Sequence, residues 1–245
     1  MIDINLIENA AKTIKKSKYC VALTGAGISV ESGIPPFRGE GGLWTRYDPS
    51  LFILSYFLNN PEHSWKLLKK LFYESFRDIK PNDAHIALAD MEKRGYLKTI
   101  ITQNIDGLHQ AAGSKNVIEY HGSIDFLICL KCSARYLADE SILKHLPPRC
   151  RCGGVLKPDI VFFEELIPRE VLAAVECEIA RSDLLMVIGT TAEVYPAAQI
   201  PYEIKRKGSK IIEVNPNFSA ITDTLTDIFI QARAIEALKA INKKL

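Results

Sequence analysis

Four of the chain's six cysteines are confined to one short stretch, as Cys129-x-x-Cys132 and then, 17 residues on, Cys150-x-Cys152. Two close pairs on separate turns can present four thiolates tetrahedrally to one ion, and a gap of about 15–20 residues suits a zinc ribbon. The second pair is spaced by one residue instead of two, and Gly153 and Gly154 beside it supply the flexibility that a tighter turn needs. Sulfur fills all four positions, so the metal is expected to be structural, with no place open for a reacting ligand. Cys20 and Cys177 stand alone in a strand-like and a helix-like segment and read as small buried apolar residues. This placement, with no secretory signal at the front, argues against a disulfide framework.

A chain of 245 residues accommodates one large α/β domain with small insertions more easily than two full domains. Its 31 Lys+Arg against 29 Asp+Glu give a net charge of +2, so no global field draws it to nucleic acid or an anionic membrane. Leu6, Ile7, Ala10, Ala11 and Ile14 fall at helical spacing and make the N-terminal segment an amphipathic helix, not a signal peptide. The apolar stretch 184–202 is broken by Glu193, Pro196 and Pro201, so no membrane span is expected. A monomer in the cytoplasm is the expectation.

Short β-branched or apolar runs that end at glycine or polar turns predict strands at 19–23, 99–102, 184–188, 210–214 and 227–230. Helical patterns lie between them: 83–94 with an Asp cap, 168–180 with proline in its first turn, and 197–207 ending at Gly208. Strands that alternate with helices of this length imply an α/β fold, a mostly parallel sheet covered on both faces. Residues 1–38, 81–126 and 157–245 make up that domain. Residues 39–80 read as a loop followed by a small helical insertion, and 127–156 as the zinc-ribbon module.

Gly25 and Gly27 follow the first strand directly, in VALTGAGIS. Glycines there permit a tight turn and let backbone N–H groups approach a pyrophosphate. The third glycine of the dinucleotide fingerprint is absent, because that position is Val30, which weakens the case for a hydride-transferring dehydrogenase. The continuation ESGIPPFRGEGGLW has no evident packing rationale, but suits a mobile cover that carries one aromatic ring, Phe37, and one cation, Arg38. Gln103, Asn104 and Asp106 end the strand at 99–102, where ligands bind in a parallel sheet, although an Asx-type helix cap would use the same residues. His109 reads as structural. His121, after the short strand-like run 117–120, has a side chain suited to proton transfer near neutrality. Metal ligation and a satisfied core histidine compete with that role, though the four cysteines complete a tetrahedral site without it.

With these motifs in view, the chain resembles the sirtuin family over nearly its whole length. GAGIS, ESGIPPFRG, TQNIDGLH, HGS, the four cysteines, PDIVFFEE, IGTTAEVYPAA and the Val214–Asn215 pair occur in the family's order. The resemblance implies a Rossmann-type sheet with a zinc-ribbon insertion and a helical insertion, NAD as co-substrate, one structural zinc ion and acyl-lysine proteins as substrates. It implies that Gly25, Ala26, Gly27 and Arg38 hold the pyrophosphate and that Phe37 covers the reacting ribose. Ser29, Asn104, Ile105 and Asp106 would line a nicotinamide pocket. Gln103, Gly189, Thr190, Thr191, Asn215 and Ala234 would bind the adenosine and ribose portions. Backbone at Val161, Phe162 and Phe163 and at Glu193 and Val194 would sandwich an extended peptide as an added strand. The acyl oxygen would attack the ribose carbon, with His121 as base and Asn104 beside the reaction, to yield nicotinamide, free lysine and O-acyl-ADP-ribose.

Two departures from the family pattern stand out. The usual glycine of the FGE run is Glu164, and Leu68 and Leu71 occupy the positions of the Tyr-x-x-Arg pair that marks succinyl preference, with Tyr73 and Arg77 nearby. An apolar pair cannot neutralise an acyl carboxylate, so acetyl or longer aliphatic groups are expected. Protein ADP-ribosylation, plain NAD hydrolysis and a non-catalytic NAD-binding zinc module are the rival readings.

Overall fold

A computed structural model describes residues 2–39 and 41–245. Helix α1 (Ile4–Lys16) starts at Asp3, whose side chain caps Asn5 N–H, and turns Ile7, Ala10, Ala11 and Ile14 inward. Strand β1 (Cys20–Thr24) is buried throughout. Helices α2 (Leu54–Asn59) and α3 (Pro61–Leu68), then a π-helical turn (Lys69–Glu74), form the helical insertion. Helix α4 (Asp83–Lys93) is capped by Asn82, not by Asp83 as the sequence suggests: Asn82 Oδ1 accepts from Ala84 N–H at 2.9 Å, and His85 Nδ1 accepts from Asn82 N–H. This reciprocal pairing satisfies two helix-end donors that Asp83 could not reach.

Strand β2 (Thr99–Thr102), the short α5 (Leu108–Ala111) and β3 (Val117–Glu119) follow, then β4 (Gly122–Cys129), β5 (Arg135–Leu137) and β6 (Leu156–Ile160). The chain closes with α6 (Arg169–Arg181), β7 (Leu184–Ile188), α7 (Gln199–Arg206), β8 (Lys210–Asn215), β9 (Ile228–Gln231) and α8 (Ala234–Lys244). Six strands form one parallel sheet in the order β3-β2-β1-β7-β8-β9. From β1 the order runs one way through β2 and β3 and the other way through β7 to β9, so the switch point lies between β1 and β7. A crevice beyond the carboxyl ends of these two strands is where such a sheet binds ligands.

The two-residue period of β1 divides the core. Cys20 and Ala22 pack toward α1, α4 and α8, and Val21 and Leu23 toward α6 and α7. Cys177 does not share the burial of Cys20: α6 turns Val175 and Ile179 inward, and position 177 lies on its exposed face. Strands β5-β4-β6 form a separate antiparallel sheet. Its core is continuous with that of the helical insertion, combining Phe57, Trp65, Leu68 and Phe72 with Leu127, Leu143 and Leu156. Trp65, fully buried, donates its indole N–H to the Leu156 carbonyl at 2.7 Å. The two insertions thus pack as one small lobe above the sheet's carboxyl edge.

Candidate active site

The turns leaving β1 and β7 meet over the switch point. Gly25 N–H donates to the Ile188 carbonyl at 3.0 Å and Gly27 N–H to the Gly189 carbonyl at 2.8 Å. A Cβ on Gly27 would stand 2.7 Å from both the Cα and the carbonyl oxygen of Gly189, so close backbone approach demands glycine here. The sequence offers both glycine N–H groups to a pyrophosphate, but the structure uses both on the β7 turn. Of residues 25–27, only Ala26 keeps an N–H without an internal partner among the described residues. A cavity of 660 Å³ opens above these turns, bordered by Ala26, Arg38, Gln103, Gly189, Thr190, Thr191, Asn215 and Ala234. Thr190 organises its far end, with its hydroxyl taking Gln103 Nε2–H at 3.0 Å and its carbonyl taking Asn215 Nδ2–H at 2.9 Å.

The segment after Gly33 is not a free-standing cover. Leu43 N–H returns to the Pro36 carbonyl at 2.8 Å and Trp44 N–H to the Phe37 carbonyl at 3.0 Å. The Phe37 ring lies 5.3 Å from Trp44, which meets Phe52 edge-on at 5.0 Å. Phe37 therefore faces the cavity on a packed aromatic base.

Behind Asn104 lies a buried polar network whose directions can be assigned. Asn82 N–H points at His85 Nδ1, so that nitrogen accepts and Nε2 carries the hydrogen toward Ser29 Oγ at 3.4 Å. Ser29 also accepts from Asn104 Nδ2 at 3.1 Å and donates to Asp106 Oδ2 at 2.7 Å. Leu108 N–H holds the other carboxylate oxygen at 3.0 Å. Burial drives the Asp106 pKa up against these bonds, and drives His85 down to about 4. His109, buried and held down to about 3, bonds Thr24 Oγ1 at 2.9 Å in the interior. Asn104 and Ile105 reach the cavity wall, whereas Ser29 and Asp106 stand behind them.

His121 lies between β3 and β4 and lines the cavity. Its Nδ1 is 3.1 Å from the Gln103 carbonyl. A carbonyl only accepts, so Nδ1 carries the hydrogen and Nε2 is left as the basic nitrogen. Burial favours the neutral ring and lowers its pKa from the ordinary histidine value, and the Gln103 contact, which favours the charged ring, opposes this only in part. Gly122 beside it has φ +79°, and a Cβ there would collide with the Asp159 carbonyl, so β4 and β6 cross directly beside His121.

The facing wall is built from Val161, Phe162, Phe163, Val194 and Tyr195. The N–H groups of residues 161–163, expected to bond an added strand, are already engaged. Val161 donates to the His121 carbonyl at 2.9 Å, Phe162 to the Glu165 carboxylate at 2.7 Å and Phe163 to the Phe52 carbonyl at 3.2 Å. Among the described residues, the N–H groups of Glu164, Leu166, Glu193 and Val194 have no internal partner. The Glu193 side chain is exposed and lies off the cavity wall. Lys157, a buried cation with its pKa lowered by that burial, fixes the wall from behind, donating to Glu165 at 2.9 Å and to the Ile160 carbonyl at 2.6 Å.

Leu68 and Leu71 do not line the cavity; they pack in the small-lobe core, and Phe72 reaches the wall in their place. A helical insertion that must share a core with the zinc module turns its leucines inward. Tyr73 and Arg77 open onto a separate hollow with Asp125 and Asp139, where Arg77 pairs with Glu140. Trp44, Phe52, Tyr195, Phe218 and Arg233 also line the main cavity. Trp44 closes the RGEGGLW motif and was legible as part of it, but Phe218 and Arg233 carry no local signal.

The four cysteine sulfurs lie within 4.8 Å of one another, with Cys129 to Cys152 at 3.5 Å and Cys132 to Cys150 at 3.6 Å. Tetrahedral zinc–sulfur bonds of about 2.3 Å require sulfurs about 3.8 Å apart, so the donor set fits one zinc ion. Lys131 N–H points at Cys129 Sγ and Cys152 N–H at Cys150 Sγ, supporting thiolate charge from outside the ligand set.

A family model described as the Sir2 family matches residues 25–196. NAD-dependent protein deacetylase 1 of Pyrobaculum aerophilum is 46% identical over 235 residues, covering 95% of this chain and 92% of that protein. Among solved structures, a mutant Sir2 homologue in complex with ADP-ribose superposes with a TM-score of 0.93 at 40% identity, covering 97% of this chain and 95% of the other. A Sir2 variant with a deacetylated p53 peptide and 3'-O-acetyl-ADP-ribose gives 0.92 at 34% identity, covering 97% and 98%.

Proposed function

The chain belongs to the Sir2 family, and we propose that it is an NAD-dependent protein-lysine deacylase, releasing nicotinamide, deacylated lysine and O-acyl-ADP-ribose. The observation that carries this reading is the position of His121, a neutral histidine with a basic Nε2, in one cavity between a glycine turn suited to a dinucleotide and a wall suited to a peptide. NAD supplies the ribose carbon that accepts the acyl oxygen. Ala26 N–H and Arg38 face its pyrophosphate, and Gln103, Gly189, Thr190, Thr191, Asn215 and Ala234 its adenosine and ribose portions. Phe37, braced by Trp44, covers the reacting ribose and shields the intermediate from returning nicotinamide. Asn104 and Ile105 border the nicotinamide end, and Ser29 and Asp106 fix the Asn104 amide. His121 Nε2 takes the proton of a ribose hydroxyl, which attacks the imidate carbon, and water then completes the release of free lysine and O-acyl-ADP-ribose, while the Gln103 carbonyl steadies the imidazolium through Nδ1. The four cysteines hold one structural zinc ion and take no part in the chemistry.

The free N–H groups at Glu164, Leu166, Glu193 and Val194 support a peptide held between two protein edges, a mode that reads main chain more than sequence. Inside the cavity, Phe52, Phe72, Ile160 and Phe162 surround the acyl end, while its lining cations, Arg38 and Arg233, belong to the cofactor side. Acetyl and longer aliphatic acyl groups fit such a wall. Four thiolates reserved for zinc suit a reducing compartment and support a cytoplasmic location; no helix among the described residues is long and apolar enough to cross a membrane. The test is incubation with an acetyl-lysine peptide, with and without NAD, and mass analysis of every product. Peptide loss of one acetyl group, nicotinamide and O-acetyl-ADP-ribose in equal amounts are expected. Nicotinamide formed with ADP-ribose left on protein, or with no deacylated peptide, defeats the reading.

A further inference from the structure

Glu164 lies in the turn after the Val161–Phe163 wall and itself lines the cavity. Its φ is +74°, a left-handed conformation that favours glycine and that a long charged side chain adopts only when its surroundings hold it there. What holds it is visible. Helix α2 of the small lobe has Ile53 at its N-cap, which supplies no side-chain acceptor. Glu164 Oε2 takes the Ser55 N–H at 3.2 Å and caps the helix from a segment 109 residues away in sequence. Beside this bond run two backbone hydrogen bonds, Phe163 N–H to the Phe52 carbonyl at 3.2 Å and Leu54 N–H to the Phe163 carbonyl at 3.0 Å, around the Ile53–Phe163 bridge.

We propose that the Glu164 side chain is a positioning residue for the peptide: it clamps to helix α2 of the small lobe the turn that carries the free N–H groups of Glu164 and Leu166. This inference rests on the deacylase reading for its kinetic consequence and on the fold alone for the clamp. Glu165 anchors the inner side of the turn through Phe162 N–H and Lys157, whereas Leu166 is 92% exposed and adds no packing, so the Glu164 clamp is the side-chain tie between the turn and the small lobe's helix α2. A carboxylate at the N-terminus of α2 also faces the favourable end of the helix dipole. An amide in its place keeps the hydrogen bond and loses only the charge.

The experiment compares Glu164→Gly, Glu164→Ala and Glu164→Gln in the full chain, with melting and zinc content as fold controls. Glycine relieves the left-handed strain and alanine keeps it, so a shared defect isolates the lost acceptor from the backbone. Losing a helix cap predicts a peptide KM about five- to tenfold higher in the glycine and alanine variants, with kcat and the KM for NAD changed much less. Glu164→Gln is expected to recover most of that loss. Hydrogen exchange at the Ser55 amide should quicken in the glycine and alanine variants and stay slow in the glutamine variant. An unchanged peptide KM in both truncations overturns the proposal, as does a glutamine variant as impaired as alanine, which would make the charge and not the clamp responsible. If the protein removes no acyl group at all, the deacylase reading fails, and Ser55 exchange alone decides the clamp: equal rates in all four proteins would refute it.

Discussion

Replacing Gly27 with alanine should separate the β1 turn from the β7 turn. The added methyl meets backbone at 2.7 Å, and neither strand end can yield without moving its neighbours in the sheet. Overpacking of this kind costs about 1–3 kcal/mol, and strain on the 2.8 Å bond from Gly27 N–H to Gly189 adds about 1 kcal/mol. A loss of about 2–4 kcal/mol in a chain of this size lowers the melting temperature by about 5–15 °C. The separation also spoils the surface offered to the pyrophosphate. Wild-type protein at an NAD concentration about 100-fold above its dissociation constant gains about 2.7 kcal/mol, seen as a melting shift of about 5–10 °C that the variant should largely lack. Gly95→Ala is the control, because Gly95 has φ +81° and nothing within 4 Å of an added Cβ. It should cost about 1–2 kcal/mol through backbone strain alone and leave the NAD shift intact. A Gly27→Ala protein that melts within about 2 °C of wild type and keeps its full NAD shift would refute the close-approach argument.

His121→Ala should abolish deacylation while melting and zinc content hold, and a variant that retains a normal rate removes His121 from the role of base. Because burial lowers the His121 pKa, the acid limb of kcat/KM should be centred below the ordinary histidine value of about 6.5, so a limb centred above that value would contradict the assignment. Cys150→Ser should reduce the metal from one zinc per chain toward none and open residues 129–155 to protease, as read by metal analysis and limited digestion. Acetyl- and long-chain acyl-lysine peptides should outpace succinyl-lysine in rate comparisons, and a succinyl preference would show that the Phe52–Phe72 wall is not the acyl end. Glu165→Ala leaves Lys157 buried without its partner and frees Phe162 N–H, and should destabilise by about 3–5 kcal/mol, measurable by denaturant unfolding.

The parallel sheet was legible because strands buried on both faces are written as unbroken apolar runs. Residues 99–102 and 184–188 emerge with the bounds that their composition suggests, and α4, α6 and α7 lie within a residue or two of their patterns. The sulfurs were legible for a related reason, since ligand spacing is a local property. Hydrogen-bond consumption was not local. That Gly25, Gly27, Val161 and Phe163 use their N–H groups inside the protein depends on the β7 turn, His121 and the helical insertion, each far away in sequence, while Phe162 N–H turns to Glu165 three residues on. Leu68 and Leu71 fall elsewhere than expected for the same reason, because a helical period shows that one face is buried without showing against what. Cys177 was read from residue type alone, although the helical period sets it about half a turn from Val175 and Ile179, on the opposite and exposed face of α6.

The zinc module leaves the large domain through β4, which begins at the residue after His121, and returns through β6, which ends at the residue before Val161. The Val161 N–H bond to the His121 carbonyl ties those two stems together. An ion too remote to touch either reactant is thereby the keystone over both: remove it, and the base and the peptide shelf lose their common footing in a single event. Metal-stripping agents and thiol oxidants should therefore silence this protein without ever entering its cavity.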